Sequence, residues 1–317
     1  MQLVSIIIPA FNEKDTIKDI AEDTFRILNE NGYDNVEILL IDDGSTDGTT
    51  EIGQELAQIH NYCRLISFRN NRGKTTAVRE GFREARGQYI GIIDADYQFD
   101  PPDFLALLEP LIKNEADFVN GKRKKRKDPL TKRIPSFFWN RMCRWVFGIK
   151  LKDWNSGIKV MRRECIQGRV LREGSHRYLP GIISSAGFRV IERPISHQSR
   201  KFGKSKYGRG RLIRGLMDLI SLKLRMSFEK RPMTLFGIFG MILLIAGFFC
   251  GGYLVYLQQQ GEAIGDRPLL LLSILLLIFG FQLFSLGFIA DYLANTLAET
   301  QELRRDVWEL QKIMKRK

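Results

Sequence analysis

The chain has 317 residues and 44% hydrophobic content, enough for one good-sized domain and something smaller. Its formal charge of +13 calls for an anionic partner: nucleic acid, a phosphorylated substrate or an acidic membrane surface. Cys63, Cys143, Cys165 and Cys250 are scattered without CxxC spacing, which argues against a zinc site or a disulfide framework and fits a reducing compartment.

Met1 leads directly into the apolar run Leu3 to Ile8 and Pro9, so no secretory leader is expected. From there strand and helix signals alternate. Val4 to Ile8 is a β-branched strand that ends at Pro9-Ala10-Phe11-Asn12-Glu13, followed by a helical pattern from about Thr16 to Asn31. Val36 to Ile41 is a second strand closing on Asp42-Asp43-Gly44-Ser45-Thr46-Asp47-Gly48, with a helix from about Thr49 to His60. Arg64 to Phe68 is a third strand, and Asn70-Asn71-Arg72-Gly73-Lys74 leads into a helix near Thr75 to Ala85. Ile90 to Ile93 is a fourth, its short apolar run suiting a strand covered on both faces. Strands alternating with helices predict a parallel, doubly wound α/β sheet, and every strand then delivers its polar cluster to one rim.

Asp94 and Asp96 fall at the carboxyl end of the fourth strand, where ligands of open α/β sheets bind, and alternation sends both side chains the same way. Such a pair reads as a strand-end turn, as an acid/base pair, or as a hard-cation site in which Mg²⁺ or Mn²⁺ fills its shell with nucleotide phosphates. The other clusters favour the third. Asp42 and Asp43 can accept hydrogen bonds from ribose hydroxyls and a base N–H, and Gly44 lets the backbone approach a ligand. Ser45 and Asp47 also read as ordinary helix caps. Lys74 suits a diphosphate, or is a solvated lysine at a helix start. The absence of GxGxxG after the first strand and of GxxxxGK[ST] disfavours a Rossmann dehydrogenase and a P-loop NTPase.

Four ordered segments, Ser5-Ile6-Ile7-Ile8-Pro9-Ala10-Phe11-Asn12-Glu13, Ile41-Asp42-Asp43-Gly44-Ser45-Thr46-Asp47, Gly73-Lys74 and Asp94-Ala95-Asp96-Tyr97-Gln98-Phe99-Asp100-Pro101-Pro102, resemble a family 2 glycosyltransferase. More narrowly, they are similar to the polyprenyl-phosphate branch, relatives of dolichol-phosphate mannosyltransferase and of bacterial enzymes that make undecaprenyl-phosphate glucose. The resemblance implies a GT-A fold, with Pro9, Ala10, Asn12, Glu13, Asp42 and Gly44 around the nucleoside and Asp94, Ala95, Asp96 and Gln98 around metal and diphosphate. Thr75-Thr76 departs from the smaller residues relatives often carry, which leaves the packing after Lys74 open.

Lys122-Arg123-Lys124-Lys125-Arg126-Lys127 follows a strand at Asp117 to Asn120 and should emerge at the same rim. It contains no aromatic residue, so nucleic acid is not expected as a partner. It reads as a solvated loop, or Lys122, Arg123 and Arg126 hold a lipid phosphate. Trp139, Trp145 and Phe147, with Arg141 and Arg144, suit a membrane interface or core packing. Asp153-Trp154-Asn155-Ser156-Gly157-Ile158-Lys159 resembles the D-x-x-S-G-[F/I]-[K/R] segment beside the acceptor in these transferases, which points to Asp153 as a catalytic residue beside Asp94 and Asp96. An acceptor phosphate monoester, with a second pKa of about 6, is already anionic, so Asp153 is expected to position basic side chains or the sugar. Arg200-Lys201-Phe202-Gly203-Lys204-Ser205-Lys206-Tyr207 resembles the family's R-x-x-G-x-S-K-Y segment. Arg200, Lys204 and Lys206 would grip phosphate there, or the loop only attracts acidic lipids.

In Gly208 to Phe228, Ile213, Leu216, Met217, Ile220 and Leu224 share one helical face and Arg211, Arg214, Asp218 and Arg225 the other, while Lys223 must snorkel; this predicts an interfacial amphipathic helix. Leu235 to Leu257 and Pro268 to Ala290 are uncharged runs, each about 35 Å long as helix, enough to cross a bilayer. Only Arg267 is basic in the connecting 258–267, against the basic stretches Arg200 to Arg231 and Arg304 to Lys317. The positive-inside rule then puts the catalytic domain and both termini in the cytoplasm, at an inner (plasma) membrane. The tail from Glu299 to Lys317 places Leu303, Val307, Leu310 and Met314 on one stripe and suggests a homo-oligomer, a tetramer being one form.

The expected organisation is a GT-A domain over 1–207, a juxtamembrane helix over 208–232, a two-helix transmembrane hairpin over 233–292 and a C-terminal helix over 293–317. The expected activity is inverting transfer of a hexose, first glucose from UDP-glucose and otherwise mannose from GDP-mannose, to a polyprenyl phosphate. Two spans and the lack of QxxRW disfavour a processive polysaccharide synthase, and the intact DxD disfavours a non-catalytic scaffold.

Overall fold

The computed structural model describes residues 3–124, 130–169, 171–196, 217, 219–223 and 232–314. They divide into two compact units, Met1–Leu219 and Ile220–Lys317.

The first unit is built on a seven-stranded sheet of order β3-β2-β1-β4-β6-β5-β7. The strands are β1 (Val4–Ala10), β2 (Val36–Asp42), β3 (Cys63–Ser67), β4 (Tyr89–Ile93), β5 (Phe118–Arg123), β6 (Ile158–Arg162) and β7 (Val190–Ile195). Between them run α1 (Ile17–Glu30), α2 (Thr49–Ile59), α3 (Lys74–Glu84), α4 (Pro102–Ile112), α5 (Leu130–Phe147) and α6 (Leu179–Ser185). β1 pairs in parallel with β2 and β4, β2 with β3, and β5 with β7; β6 runs antiparallel to both β4 and β5. β5 therefore points the same way as β4, and its carboxyl end reaches the rim that carries Asp94.

Alternation divides the core into two layers. Val4, Ile6, Ile8, Ile38 and Leu40 pack on one face of the sheet, while Ile7, Leu39, Ile41, Ile90 and Ile92 pack on the other. Every residue of β1, β2 and β4 is buried, as the apolar runs predict for strands covered on both sides. β7 is an edge strand, which is why it tolerates Pro194. The chain order reverses between β1 and β4, the switch point at which such sheets bind ligands.

The second unit is a helical hairpin of α7 (Pro232–Gln259) and α8 (Pro268–Met314). Small residues bring the backbones together: a Cβ on Gly240 would lie 2.7 Å from the Phe284 nitrogen, and one on Gly280 would lie 2.8 Å from that of Leu244. Ser273 Oγ donates to the Gly247 carbonyl at 3.0 Å, satisfying a hydroxyl inside the pair. Phe248, Phe249, Phe281 and Phe288 point outward and are exposed. Phe236–Gln259 and Pro268–Thr300 are long and apolar enough to cross a membrane. The tail helix expected from Glu299 continues from α8 without a break, because no Gly or Pro interrupts residues 288–314. Of the amphipathic helix expected over 208–228, only 217 and 219–223 lie among the described residues, and they are helical.

Candidate active site

The rim begins with the end of β2. Asp42, wholly buried, accepts hydrogen bonds from the Ser45 N–H (3.0 Å), the Thr50 hydroxyl (2.5 Å) and the Ser67 hydroxyl (3.0 Å). Asp43 takes the N–H groups of Arg72 (2.7 Å) and Gly73 (2.9 Å), which ties the loop before α3 to the loop after β2. Burial raises its carboxyl pKa, those two N–H bonds pull it back, and the Asp42 charge adds to a net upward shift. Gly44 has φ +72, and a Cβ there would stand 2.5 Å from the Asn70 carbonyl carbon. The glycine is therefore demanded by the close approach of the Asn70–Asn71 backbone.

The loop after β1 is laced to the same turn. Pro9 and Ala10 are buried strand residues in register with Ile41 and Asp42. Asn12 sits at φ 53, donates its N–H to Ser45 Oγ (2.8 Å) and accepts the Thr46 N–H on Oδ1 (2.8 Å). The Glu13 N–H bonds Thr49 Oγ1 at 2.9 Å. Asp47 accepts both the N–H (3.1 Å) and the hydroxyl (2.5 Å) of Thr49, an Asx turn that leads into α2, whose N-cap is Gly48 and not Asp47 as the capping signal predicted.

At the tip of β4, the Asp94 N–H bonds the Gly157 carbonyl at 3.1 Å, and Lys74, the first residue of α3, places Nζ 2.5 Å from Asp94 Oδ1. A Cβ on Gly157 would lie 2.6 Å from Asp94 Oδ2, so this glycine leaves the room the carboxylate occupies. The Ala95 carbonyl accepts the Thr16 hydroxyl at 2.6 Å. Tyr97 adopts φ 50 and donates its hydroxyl to Asp23 on α1, which fixes the turn on which half-buried Asp96 and Gln98 lie. Among the described residues no group of three or more His, Cys, Asp or Glu could hold a metal by itself. Asp94, Asp96 and Gln98 nevertheless offer hard oxygen donors, and a cation is already accepted at Asp94 in the form of the Lys74 ammonium. This donor set fits Mg²⁺ or Mn²⁺ shared with the phosphates of a ligand.

Across β6 lies a second ion pair. Arg123, the last residue of β5, donates Nε (2.7 Å) and Nη2 (2.8 Å) to the two oxygens of Asp153, which is 4% exposed. Asp153 is held in turn through its own N–H, bonded to Glu192 Oε1 at 2.8 Å, and through its carbonyl, which accepts Asn120 Nδ2 at 2.6 Å. Lys122 precedes it, half-buried on β5, while Arg126, Arg200, Lys204 and Lys206 lie outside the described residues. Half-buried Phe147 stacks on the buried rings of Trp154 and Tyr178 and Trp139 lies tilted against Tyr178, whereas Trp145 is 83% exposed, so the aromatic helix serves core and surface at once.

The packing at Thr75, left open by the sequence, is resolved here, and Lys159 was given no role there. Thr75, buried in the first turn of α3, takes the Gly174 N–H at 3.0 Å and pairs with His176 Nδ1 at 2.6 Å, so the threonine that departs from the family pattern locks the 171–178 segment beside Lys74. Lys159 on β6 is 6% exposed and donates Nζ to the Ser156 carbonyl. Burial pulls its pKa down to about 8, against the attraction of the Asp94 and Asp153 carboxylates.

A model of glycosyl transferase family 2 matches residues 5–168. A dodecaprenyl-phosphate galacturonate synthase of Rhizobium johnstonii is 32% identical over 307 residues, covering 92% of this chain and 88% of that protein. An undecaprenyl-phosphate 4-deoxy-4-formamido-L-arabinose transferase of Proteus mirabilis is 27% identical over 295 residues, with the same coverage of 92% and 88%. In fold, the chain resembles glucosyl-3-phosphoglycerate synthase of Mycobacterium tuberculosis, solved with Mn²⁺ and UDP-glucose, at a TM-score of 0.54, 18% identity and coverage of 70% and 79%. With the GT-A-like sheet, the acidic strand tip and nearly full-length relatives in agreement, the chain belongs to glycosyl transferase family 2 and is a glycosyltransferase.

Proposed function

We propose that the chain transfers a sugar from a nucleotide diphosphate sugar to the phosphate of a polyprenyl lipid, at the surface of the membrane that α7 and α8 cross. The observation that carries this reading is the pairing of two charged sites on one rim. Lys74 and Asp94 stand at the ends of α3 and β4, Arg123 and Asp153 stand across β6, and the Asp94 N–H to Gly157 carbonyl bond joins them.

In this reading the loops after β1 and β2 receive the nucleoside, and Lys74 releases Asp94 to bind the donor diphosphate. Mg²⁺ or Mn²⁺, held by Asp94, Asp96 and Gln98, would offset charge on the departing diphosphate. Arg123, aimed by Asp153, faces the acceptor, together with Lys122 and the basic residues Arg126, Arg200, Lys204 and Lys206. The acceptor oxygen is anionic at neutral pH, so Asp153 acts by orienting Arg123 and not by taking a proton. A single in-line displacement inverts the anomeric carbon and gives a β-linked product from an α-linked donor. The arginine and lysine content of 200–231 and 304–317, against Arg267 alone in the hairpin connection, supports a cytoplasmic catalytic unit and cytoplasmic termini.

The galacturonate and formamido-arabinose named in the relatives make those sugars first choices beside glucose, since the relatives match along nearly the whole chain while the glucosyl enzyme matches in fold alone. The test offers the purified chain, with undecaprenyl phosphate and Mn²⁺, a panel of labelled UDP-glucose, UDP-galacturonate, UDP-4-formamido-arabinose and GDP-mannose. One donor should yield a mild-acid-labile glycolipid; label passing from every donor to water alone would refute the reading.

A further inference from the structure

Among the described residues, Lys159 is the one buried lysine or arginine. It stands on β6 opposite Ile92 of β4 and Asn120 of β5, at the centre of the strand group that carries both ion pairs. Its Nζ donates to the carbonyl of Ser156, three residues back, inside the turn that links Asp153 to Gly157. One end of that turn is anchored by Arg123 through Asp153, and the other touches Asp94 through the Gly157 carbonyl. The charges that act on Lys159 are those of the same four residues: Asp94 and Asp153 attract it, Lys74 and Arg123 repel it. A lysine in a dry strand interior is costly unless something holds it there, and replacing such a charge by an apolar side chain often leaves stability unchanged. The position therefore needs an explanation other than packing.

We infer that Lys159 is a positioning residue: its ammonium, fixed on the Ser156 carbonyl between Asp94 and Asp153, sets the spacing between the carboxylate that faces the donor and the ion pair that faces the acceptor. Lys159 touches neither substrate. It acts through the 153–157 turn, which moves Gly157 against Asp94 and Asp153 against Arg123 as one piece. The inference rests on the transfer reaction proposed above.

The test compares Lys159→Met, Lys159→Gln and Lys159→Arg in the full chain. UDP binding with Mn²⁺ and undecaprenyl phosphate binding are each measured alone, and transfer is measured at saturation. The uncharged variants should bind each ligand within about threefold of wild type while kcat falls on the order of 100-fold, the signature of lost registry between two intact half-sites. Lys159→Arg, which keeps the charge, should recover at least about tenfold of that loss. Lys159→Gln stands in for Lys159→Met should the latter fail to fold. Wild-type kcat in an uncharged variant, an equal loss in ligand binding and kcat, or no recovery with arginine would overturn the assignment. A wild-type chain that makes no glycolipid from any donor would overturn the functional reading instead, so the two failures are told apart by the wild-type arm.

Discussion

Replacing Asp153 by Asn keeps the shape of the side chain and removes its charge. The carboxylate now takes two guanidinium bonds at 2.7 and 2.8 Å, between side chains that are 6% and 13% exposed. An amide can accept one of these and turns an N–H₂ toward the other, so one charge-assisted bond is lost and Arg123 stays largely shielded from water without its counter-charge. A bond of that kind contributes about 1.5–3 kcal/mol, and breaking one side of a buried pair costs about 3–5 kcal/mol. Taking about 3 kcal/mol, the catalytic unit should melt roughly 9 °C lower. Arg123 would no longer be aimed, so KM for undecaprenyl phosphate should rise on the order of tenfold or more. The residual transfer rate, followed from pH 7 to 9 with radiolabelled donor, should not rise, because the acceptor phosphate loses its last proton near pH 6, and should fall above about pH 8 as the Lys159 ammonium loses its proton. A rate that climbs about tenfold per pH unit with the acceptor KM unchanged would make Asp153 a proton acceptor and refute the reasoning.

Excess EDTA, or Asp94→Asn with Asp96→Asn, should slow transfer by about 1,000-fold or more, equivalent to about 4 kcal/mol of transition-state stabilisation; Mn²⁺ should restore the EDTA-treated enzyme and not the variant. Gly157→Ala would put a methyl 2.6 Å from Asp94 Oδ2 and 2.5 Å from a Phe99 ring carbon. It should weaken Mn²⁺-dependent UDP binding about tenfold, and unchanged binding in a Mn²⁺ titration would count against Asp94 as a ligand. Burial pushes the thiols of Cys63, Cys143 and Cys165 up to about 12. At pH 8 only about one part in 10,000 of each is thiolate, so iodoacetamide should leave all three intact in the native protein, react faster as pH rises and modify them at once in denaturant; rapid native labelling read by peptide mass would contradict this burial.

The parallel half of the sheet was legible because β1, β2 and β4 are buried on both faces, which leaves a continuous apolar run that ends where the chain meets solvent. Predicted ends fall within two residues of those observed for β1 to β4. β6 and β7 were not placed. Lys159 and Arg162 interrupt one and Glu192, Arg193 and Pro194 the other, and the antiparallel insertion of β6 between β4 and β5 depends on pairings distant in sequence. The position of Asp94 and Asp96 just past the tip of β4 was legible because the apolar run stops there, while the pair by itself left three chemistries open. What Asp42 and Gly44 touch was not, because hydrogen bonds from Thr50 and Ser67 and the approach of the Asn70 backbone are tertiary facts. Lys159 was missed because a lysine in a strand ordinarily signals a wet face.

Three separate pieces of chain, the 43–49 turn, the start of α2 and the end of β3, converge on the single side chain of Asp42. The rim they form is consequently rigid before any ligand arrives, and the entropy of ordering it is lost during folding and not at each encounter. Recognition on this side should therefore be of the lock-and-key sort, with rapid, shape-limited capture, and Ser67, a strand away from any ligand, becomes a residue whose loss would slow that capture by loosening the frame.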